Sequence, residues 1–309
     1  MMPKRRRGWP YRYVVPLAMV VGLLVSGCGQ QYVLLHPAGP VAQSELHLLI
    51  VASLAMLVVI VPVFVLLAIT VIRFRDKPGN KAPYWPNWHG NKKLEIIWWI
   101  IPVVLLTVIA VPTVGQTFAL SKLPKAKDPV IIDVTSLTWK WLFQYPGQHV
   151  ATVNYAVIPA GQPVLFELTA DSPMNTFWVP QLGGMEYTMP NEVLPLWLEA
   201  YKPGVYWGHS GNFSGEGFEK MFFNVKSVTP EAFQQWVKKV HQTAKPMTMT
   251  NYHNLLAFNT VGVQTYSNYP SDTFPAEANG FTLNGEGMYM IMHDQHGITY
   301  MPMSDMSNH

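Results

Sequence analysis

The chain has 309 residues, of which 49% are hydrophobic and only 13% are charged, with a formal net charge of +3. Charged residues make up about a quarter of an ordinary soluble domain, so this composition indicates a membrane protein with a globular part. Its basic residues form no face interleaved with aromatic ones, which excludes nucleic acid as a partner. The single cysteine, Cys28, excludes an intrachain disulfide and any metal site built from several thiolates.

The N-terminus has the pattern of a secretory signal. Basic residues occur up to Arg12, and an apolar run too short to span a bilayer follows from Tyr13 to Val25. The ending V-S-G-C resembles a bacterial lipobox, which implies that residues 1–27 are removed and that Cys28 is acylated. Acyl chains would then hold the outer segment 28–45 at the membrane surface. The alternative is an ordinary signal peptide whose cysteine is incidental.

Two apolar runs predict transmembrane helices over residues 46–72 and 94–116. The first is uncharged for its whole length and measures about 40 Å as a helix, enough to cross the hydrocarbon core of a bilayer. The loop between them, residues 73–93, is strongly basic, and the positive-inside rule places such a short loop in the cytoplasm. Both ends of the chain are therefore expected in the periplasm.

Glu95 lies at the cytoplasmic start of the second span. A carboxylate so close to hydrocarbon is costly unless it is paired or solvated, which makes Glu95 a candidate functional residue. The alternative is an interfacial carboxylate that pairs with Lys92 or Lys93.

Residues 125–228 contain short runs of β-branched and aromatic residues separated by turn signals. The first run, V-I-I-D-V-T-S-L-T-W-K-W-L-F-Q-Y-P, stops at a Pro-Gly pair, and later runs are separated by P-A-G-Q-P and Y-K-P-G. Short strands at near-even spacing predict a Greek-key sandwich or barrel. Residues 229–262 change to helical spacing, with Phe233, Trp236 and Val237 on one side, and predict a short helical extension.

The tail, residues 263–309, is rich in Gly, Asn, Ser and Pro, and we expect it to be disordered. It also contains thioether and imidazole side chains, which can bind copper, so a metal-binding tail stays open as an alternative. The residues concerned are Met288, Met290, Met292, His293, His296, Met301, Met303, Met306 and His309.

The order of these features resembles subunit II of the haem–copper oxidases over residues 40–260. The resemblance depends on L-E-I-I-W-W-I-I-P in the second span and on T-W-K-W-L-F-Q-Y-P in the outer domain. It implies a membrane α-hairpin of two transmembrane helices, followed by an all-β cupredoxin-like sandwich with a short helical C-terminal extension. In the members that oxidise cytochrome c, the sandwich holds two copper ions, bound by an early His and by a loop C-x-E-x-C-x-x-x-H-x-x-M.

The copper-binding residue types are missing from this chain. The family's ligand positions fall in order on Asn175, Ser210, Asn212, Ser214, Phe218 and Met221. Only Met221 keeps the family identity, because a serine hydroxyl is not a thiolate at neutral pH and phenylalanine has no lone pair. We therefore expect these positions to bind no metal. His209 lies beside them, but a single imidazole makes no metal cage.

This pattern of loss resembles the quinol oxidases of the bo or ba type. The resemblance implies a proton-pumping enzyme of the bacterial inner membrane that oxidises ubiquinol and reduces O2 to water. Haems and the catalytic copper would belong to subunit I, and this chain would be a non-catalytic scaffold for subunit I, beside subunits III and IV. Glu95 matches the family's acid at the mouth of a proton channel. Trp139 matches an electron-entry tryptophan, but without copper we expect Trp139 and Trp141 to be packing residues.

There are three alternatives to a quinol oxidase subunit. A cytochrome c oxidase subunit needs two neighbouring cysteines, which the sequence excludes. A stand-alone cupredoxin-like lipoprotein that binds copper through its Met/His tail stays open, and so does a structural membrane protein without an oxidase partner.

Overall fold

The computed structural model describes residues 33–83, 85, 87, 89–120, 129–190, 192–274, 280–284, 287–294 and 297–302. The chain divides into two units, Met1–Val33 and Leu34–His309, and every element named below belongs to the second unit. The expected signal peptide and its lipidation site, Cys28, lie outside the described residues.

Two long helices come first, α1 (Pro40–Phe74) and α2 (Lys92–Leu120). Both are long and apolar enough to cross a membrane, and nearly all of their side chains are exposed in the chain alone. They extend beyond residues 46–72 and 94–116 because hydropathy marks only the part that matches the hydrocarbon core. Each start has its own signal: Pro40 stands in the first turn of α1, and the Asn91 side chain accepts from Lys93 N at 2.9 Å.

The predicted sandwich follows the helices. Its strands are β1 (Val130–Leu137), β2 (Lys140–Tyr145), β3 (Val150–Val153), β4 (Tyr155–Pro159), β5 (Val164–Ala170), β6 (Asn175–Trp178), β7 (Met185–Thr188), β8 (Leu194–Leu198), β9 (Gly204–Ser210), β10 (Phe222–Val228) and β11 (Gln264–Tyr266). The first sheet has the order β11-β3-β2-β1-β5-β8, and the second has the order β4-β10-β9-β6-β7. Each sheet contains one parallel pair, β1 with β5 and β4 with β10, as expected of a cupredoxin-like sandwich.

Aromatic side chains fill the space between the two sheets. Phe177 stacks on Phe223 with ring centroids 4.8 Å apart, and Trp141 meets them edge-on at 5.5 Å and 5.3 Å respectively. All three side chains are fully buried. Such contacts stabilise a core beyond simple area burial, and they confirm that Trp141 is a packing residue.

The helical extension consists of α3 (Pro230–Thr243) and α4 (Met249–Leu255). Thr229 caps α3 by accepting from Ala232 N at 3.3 Å, and Phe233 and Val237 join the core of the sandwich. The fully buried Lys140 of β2 donates from Nζ to Leu255 O and Ala257 O, both at 2.8 Å. This lysine therefore fixes the end of α4 to the first sheet.

Parts of the tail, residues 263–309, for which disorder is expected, are described as strands and a turn. Its first strand, β11, pairs antiparallel with β3, and a 3-10 turn follows at Ser271–Thr273. Three more strands, β12 (Gly280–Asn284), β13 (Gly287–Asp294) and β14 (Gly297–Pro302), form an antiparallel sheet. The segment keeps strand-like alternation between Gly-rich turn signals, and β11 finds hydrogen-bonding partners on the sandwich.

The sandwich is joined to the beginning of α1. Ala42 N donates to Leu182 O at 3.1 Å, and the Glu45 carboxylate accepts from Gly184 N at 2.8 Å. Gly183 has a φ of 94°, and a Cβ at this position would overlap the backbone of Ala42. Only glycine therefore fits this junction without strain.

A second junction lies at the end of α2. The indole Nε1 of Trp197, on β8, donates to Leu120 O at 2.7 Å. Because the last carbonyls of a helix have no partner within the helix, this bond satisfies one of them with a group from the sandwich.

Candidate functional site

Strands β6 and β9 and the loop after β9 bring the six copper-ligand positions to one end of the sandwich. Asn175 opens β6, and Ser210 closes β9. These two strands pair antiparallel, with Phe177 opposite Ser210, and β9 also pairs with β10. The loop from residue 211 to residue 221 therefore folds back over the start of β6, with a 3-10 turn at Phe218–Lys220.

Asn175 and Ser210 are joined directly. Ser210 Oγ donates to Asn175 Oδ1 at 3.1 Å, and Asn175 Nδ2 donates to Pro173 O at 2.8 Å and to Ser172 Oγ at 3.3 Å. Both side chains are 1% exposed. Their polar atoms are satisfied by each other and by the neighbouring backbone, as buried polar groups require.

The loop after β9 is held by the same cluster. Gly211 N donates to Thr176 Oγ1 at 2.9 Å, and Thr176 Oγ1 lies 3.4 Å from Asn212 Oδ1, to which it donates. Asn212 N donates to Ser210 Oγ at 3.4 Å. The oxygen and amide groups at these positions are therefore committed to folding the loop.

The remaining positions are largely apolar. Ser214 Oγ lies 4.0 Å from the sulfur of Met221, which is buried in the core of the sandwich. Phe218 packs edge-on against Phe213, with ring centroids 5.7 Å apart. Of these three groups, only the thioether has any affinity for copper. We therefore interpret the arrangement as packing.

The residues present do not fit a dinuclear copper centre. Copper of this kind is held by thiolate and imidazole, and the cluster offers hydroxyls, amides and one thioether. The imidazole of His209 stacks on Trp207 at 4.4 Å, and its Nδ1 donates to Ser210 O at 2.7 Å. Across the described part of the chain, no group of three His, Cys, Asp or Glu side chains is placed to hold a metal ion.

Trp139 closes the outer side of this loop. It lies in the turn between β1 and β2 with a φ of 62°, and its Nε1 donates to Ser214 O at 3.0 Å. A Cβ on Gly217 would overlap the indole ring, so the close contact requires glycine. Phe258, which follows α4, meets the indole edge-on at 6.4 Å. The structure thus places Trp139 in packing contacts with the loop and the extension.

Glu95 lies apart from this cluster. It is exposed in the first turn of α2, where its backbone N donates to Asn91 O at 3.0 Å. The other end of α2 meets the sandwich through Leu120. The helix has 29 residues, or about 43 Å at the usual rise per residue, so Glu95 lies about a membrane thickness from the contact that Leu120 makes with the sandwich.

Sequence reasoning missed two buried acids, Asp133 on β1 and Glu167 on β5. They face each other in the register of the parallel pair. Burial raises the pKa of Glu167 to about 7 and raises the pKa of Asp133 well above its usual value, with the charge of Glu167 adding to the second effect. Acids in the otherwise β-branched and apolar runs V-I-I-D-V and V-L-F-E-L were the available signal.

Two comparisons with known proteins each match one part of the chain. Residues 30–115 match the family model of the cytochrome c oxidase subunit II transmembrane domain. The periplasmic domain of subunit II of cytochrome oxidase from Bradyrhizobium japonicum superposes with a TM-score of 0.36 and 21% identity, over 38% of this chain and 94% of that domain.

Three relatives match most of the chain. Quinol oxidase subunit 2 of Bacillus anthracis is 43% identical over 271 residues, which cover 87% of this chain and 92% of the relative. Its counterpart in Bacillus subtilis is 37% identical over 265 residues, with coverages of 83% and 82%. Cytochrome bo(3) ubiquinol oxidase subunit 2 of Pseudomonas aeruginosa is 36% identical over 250 residues, with coverages of 80% and 75%.

A two-helix hairpin, a cupredoxin-like sandwich and the match to the transmembrane model define a protein of the cytochrome c oxidase subunit II type. The relatives narrow that class. The chain belongs to the quinol oxidase subunit 2 family, which confirms the resemblance found in the sequence. Family membership and two apolar helices together make it a subunit of an inner-membrane oxidase.

Proposed function

We propose that this chain is subunit II of a proton-pumping terminal oxidase, which oxidises ubiquinol and reduces O2 to water. Its role is to hold the outer face of subunit I in place without carrying electrons through copper. The direct hydrogen bond between Ser210 and Asn175 carries this proposal, because it occupies two of the positions where the family pattern requires copper ligands.

The chemistry of the cluster supports the absence of a copper relay. Each buried polar atom of Asn175 and Ser210 already has a protein partner, and the only soft donor, the Met221 thioether, is packed in the core. A metal would have to displace these bonds without gaining a thiolate or an imidazole. Electrons from a lipid-soluble quinol need no relay that faces a water-soluble donor, so the proposed enzyme works without one.

The exposed apolar surfaces of α1 and α2 support a partner in the membrane. Leu66, Val111 and Phe118 are among the side chains that have little cover within the chain. We propose that part of this surface packs on subunit I, which holds the haems and the catalytic copper, in a complex that also contains subunits III and IV. Association in lipid depends on such close side-chain packing.

One purification tests the scaffold role and the missing relay together. The tagged full-length chain is purified in mild detergent, and haem, copper and polypeptide are quantified. We expect haem and subunit I to co-purify, with copper no higher than subunit I accounts for. A lone, haem-free chain would contradict the scaffold role and favour the copper-binding lipoprotein. Two further copper ions per complex would contradict the missing relay.

Anchoring and orientation form a separate part of the proposal. We propose that Cys28 is the acylated first residue of the mature chain, with both ends of the chain in the periplasm and Glu95 at the cytoplasmic surface. The lipobox-like V-S-G-C and the basic segment between the helices support this arrangement. Mass spectrometry of the mature N-terminus tests it, with Cys28→Ala as the variant that must lose the lipid mass.

A further inference from the structure

Polar side chains form a row across three neighbouring strands on the outer face of the first sheet. Gln144 of β2 is the register partner of Asp133 on β1, and Asp133 is the register partner of Glu167 on β5. Thr135 lies two residues beyond Asp133 and therefore shares its face of the sheet. The four residues take no part in the function proposed above.

This row is buried, and its oxygen atoms lack partners. Asp133 is 8% exposed, Glu167 is 2% exposed, and Gln144 and Thr135 are fully buried. Oδ1 of Asp133, Oε1 of Glu167, Oε1 of Gln144 and Oγ1 of Thr135 have no hydrogen-bonding partner within the described part of the chain. Buried polar atoms are normally satisfied, so four orphan oxygens on one face need an explanation.

The orientation of the Gln144 amide follows from its contacts. Thr273 Oγ1 donates to Pro270 O at 2.7 Å, which uses the only proton of that hydroxyl. Thr273 Oγ1 must therefore accept from Gln144 Nε2, at 2.7 Å. The amide nitrogen of Gln144 thus faces Thr273, and its carbonyl oxygen is left for another partner.

The segment after β11 covers this row. Thr273 is itself buried, and the pKa of Tyr269 is raised mainly by burial and further by the nearby charge of Asp133. The buried base on the same sheet, Lys140, donates to Leu255 O and Ala257 O instead. The row therefore combines two carboxyl groups with further acceptors beneath this segment. A buried carboxyl group in such a place is either protonated or, when charged, held by a counter-charge or a metal.

We propose that Asp133, Glu167, Gln144 and Thr135 bind a calcium ion, which ties the segment after β11 to the sandwich. The donors are two carboxylates, one amide carbonyl and one hydroxyl, which is the all-oxygen set that hard cations prefer. Calcium takes about six to eight oxygens at flexible angles, and the second oxygen of each carboxylate can add to the four. Magnesium requires a nearly ideal octahedron and retains its waters, which suits a closed, irregular pocket less well.

Calcium titration of the full-length chain in detergent, after treatment with a chelator, tests this proposal. Calorimetry at neutral pH should find one strong site per chain, and calcium should raise the unfolding temperature more than magnesium does. Asp133→Asn and Glu167→Gln should each weaken calcium binding by at least about tenfold, since ligand charge sets calcium affinity. Glu231→Gln is the matched control, because Glu231 is an exposed acid in the first turn of α3.

Terbium luminescence gives a readout that does not depend on the variants folding. Terbium replaces calcium in oxygen sites, and Tyr269 beside Asp133 would sensitise its emission in the wild-type chain. Added calcium should quench that emission by displacement. The proposal is overturned if calcium neither binds nor raises the unfolding temperature of the wild-type chain, or if both acid variants bind calcium as tightly as Glu231→Gln.

Discussion

Ser210 donates a hydrogen bond to Asn175 across the end of the sandwich, where the subunit II pattern places two copper ligands. The bond is buried and supported by Ser172 and Thr176. These two positions of the family pattern are thus bonded to each other within the protein. Because the cluster has a structural role, we expect substitutions in it to change stability and not electron transfer.

Removing the serine hydroxyl should destabilise the sandwich. Ser210→Ala leaves the buried Asn175 carbonyl without its donor, which costs about 1–3 kcal/mol in free energy of unfolding. Denaturant unfolding of the full-length chain, followed by tryptophan fluorescence, measures this change. Ser227→Ala is the control, because the buried Ser227 hydroxyl has no hydrogen-bonding partner in the described structure and its loss should be nearly neutral. Equal effects of the two variants would contradict the role of the Ser210 bond.

Gly217 should tolerate no side chain. In Gly217→Ala the new Cβ meets the rigid indole of Trp139, and overpacking of this kind costs about 1–3 kcal/mol. We expect a lower unfolding temperature and a shifted Trp139 emission as the ring moves away from Ser214. Gly147→Ala is the matched control, since nothing lies within 4 Å of its Cβ position. An unchanged Gly217→Ala protein would mean that Trp139 does not hold the loop.

The buried acids should make stability depend on pH. The pKa of Glu167 is raised from 4.5 to about 7 in the folded chain, so the folded state binds more protons than the unfolded state between these values. Stability is therefore fully present below about pH 4.5 and is lost as pH rises through about 7. Asp133, whose pKa is raised in the same direction, adds to the loss, and the neighbouring Tyr269 stays protonated throughout.

Unfolding of the chelator-treated chain at pH 5 and pH 8 measures this dependence. The wild-type chain should lose a few kcal/mol over the interval, and Glu167→Gln should remove much of the loss because its side chain does not titrate. Glu231→Gln should behave as the wild type does. A wild-type stability that rises over this interval would show that burial does not govern the protonation of Glu167.

Lys140 should control the order of the helical extension. Lys140→Met removes two charge-assisted hydrogen bonds to carbonyls at the end of α4, each worth about 1.5–3 kcal/mol. The variant also removes the desolvation cost of the buried charge, which offsets part of this loss. We expect faster amide hydrogen exchange over residues 249–258. Lys226→Met is the control, since Lys226 is exposed and its ammonium group lies over the ring of Tyr155. If amide protection over residues 249–258 is unchanged in Lys140→Met, apolar packing alone anchors the helical extension.

Glu95→Ala should lower steady-state quinol oxidation several-fold while the complex still assembles. An exposed carboxylate at the helix start can collect protons, and without it proton delivery relies on bulk water. The loss should therefore grow as pH rises and protons become scarce. Oxygen uptake by the purified complex measures this effect, with Glu95→Asp expected to retain most of the rate. Normal turnover of Glu95→Ala at every pH would reject the role.

Local pattern was sufficient to predict the main architecture. Hydropathy located both helices, and strand alternation located the sandwich that begins near Val130. The ligand positions were found by laying the family's copper-loop pattern on the sequence, and the structure brings Asn175 and Ser210 into direct contact. These features depend on residues close together in sequence, or on a motif with fixed offsets.

The remainder depends on contacts between distant segments. The burial of Asp133 and Glu167 depends on a cover that reaches Thr273, which is more than a hundred residues beyond either acid. The left-handed backbone of Trp139 is rare for a bulky residue and follows from its contacts with Ser214 and Gly217. The pairing of β11 with β3 is likewise not visible in the tail's own residues.

The contacts of Ala42 and Glu45 at the start of α1, and of Leu120 at the end of α2, hold the sandwich to both helices, so that it is not a domain on a flexible stalk. The outer domain should reorient together with the helices, at a constant height above the lipid surface. A partner that binds its loops meets a surface that is already held in place, so little conformational entropy is lost on binding.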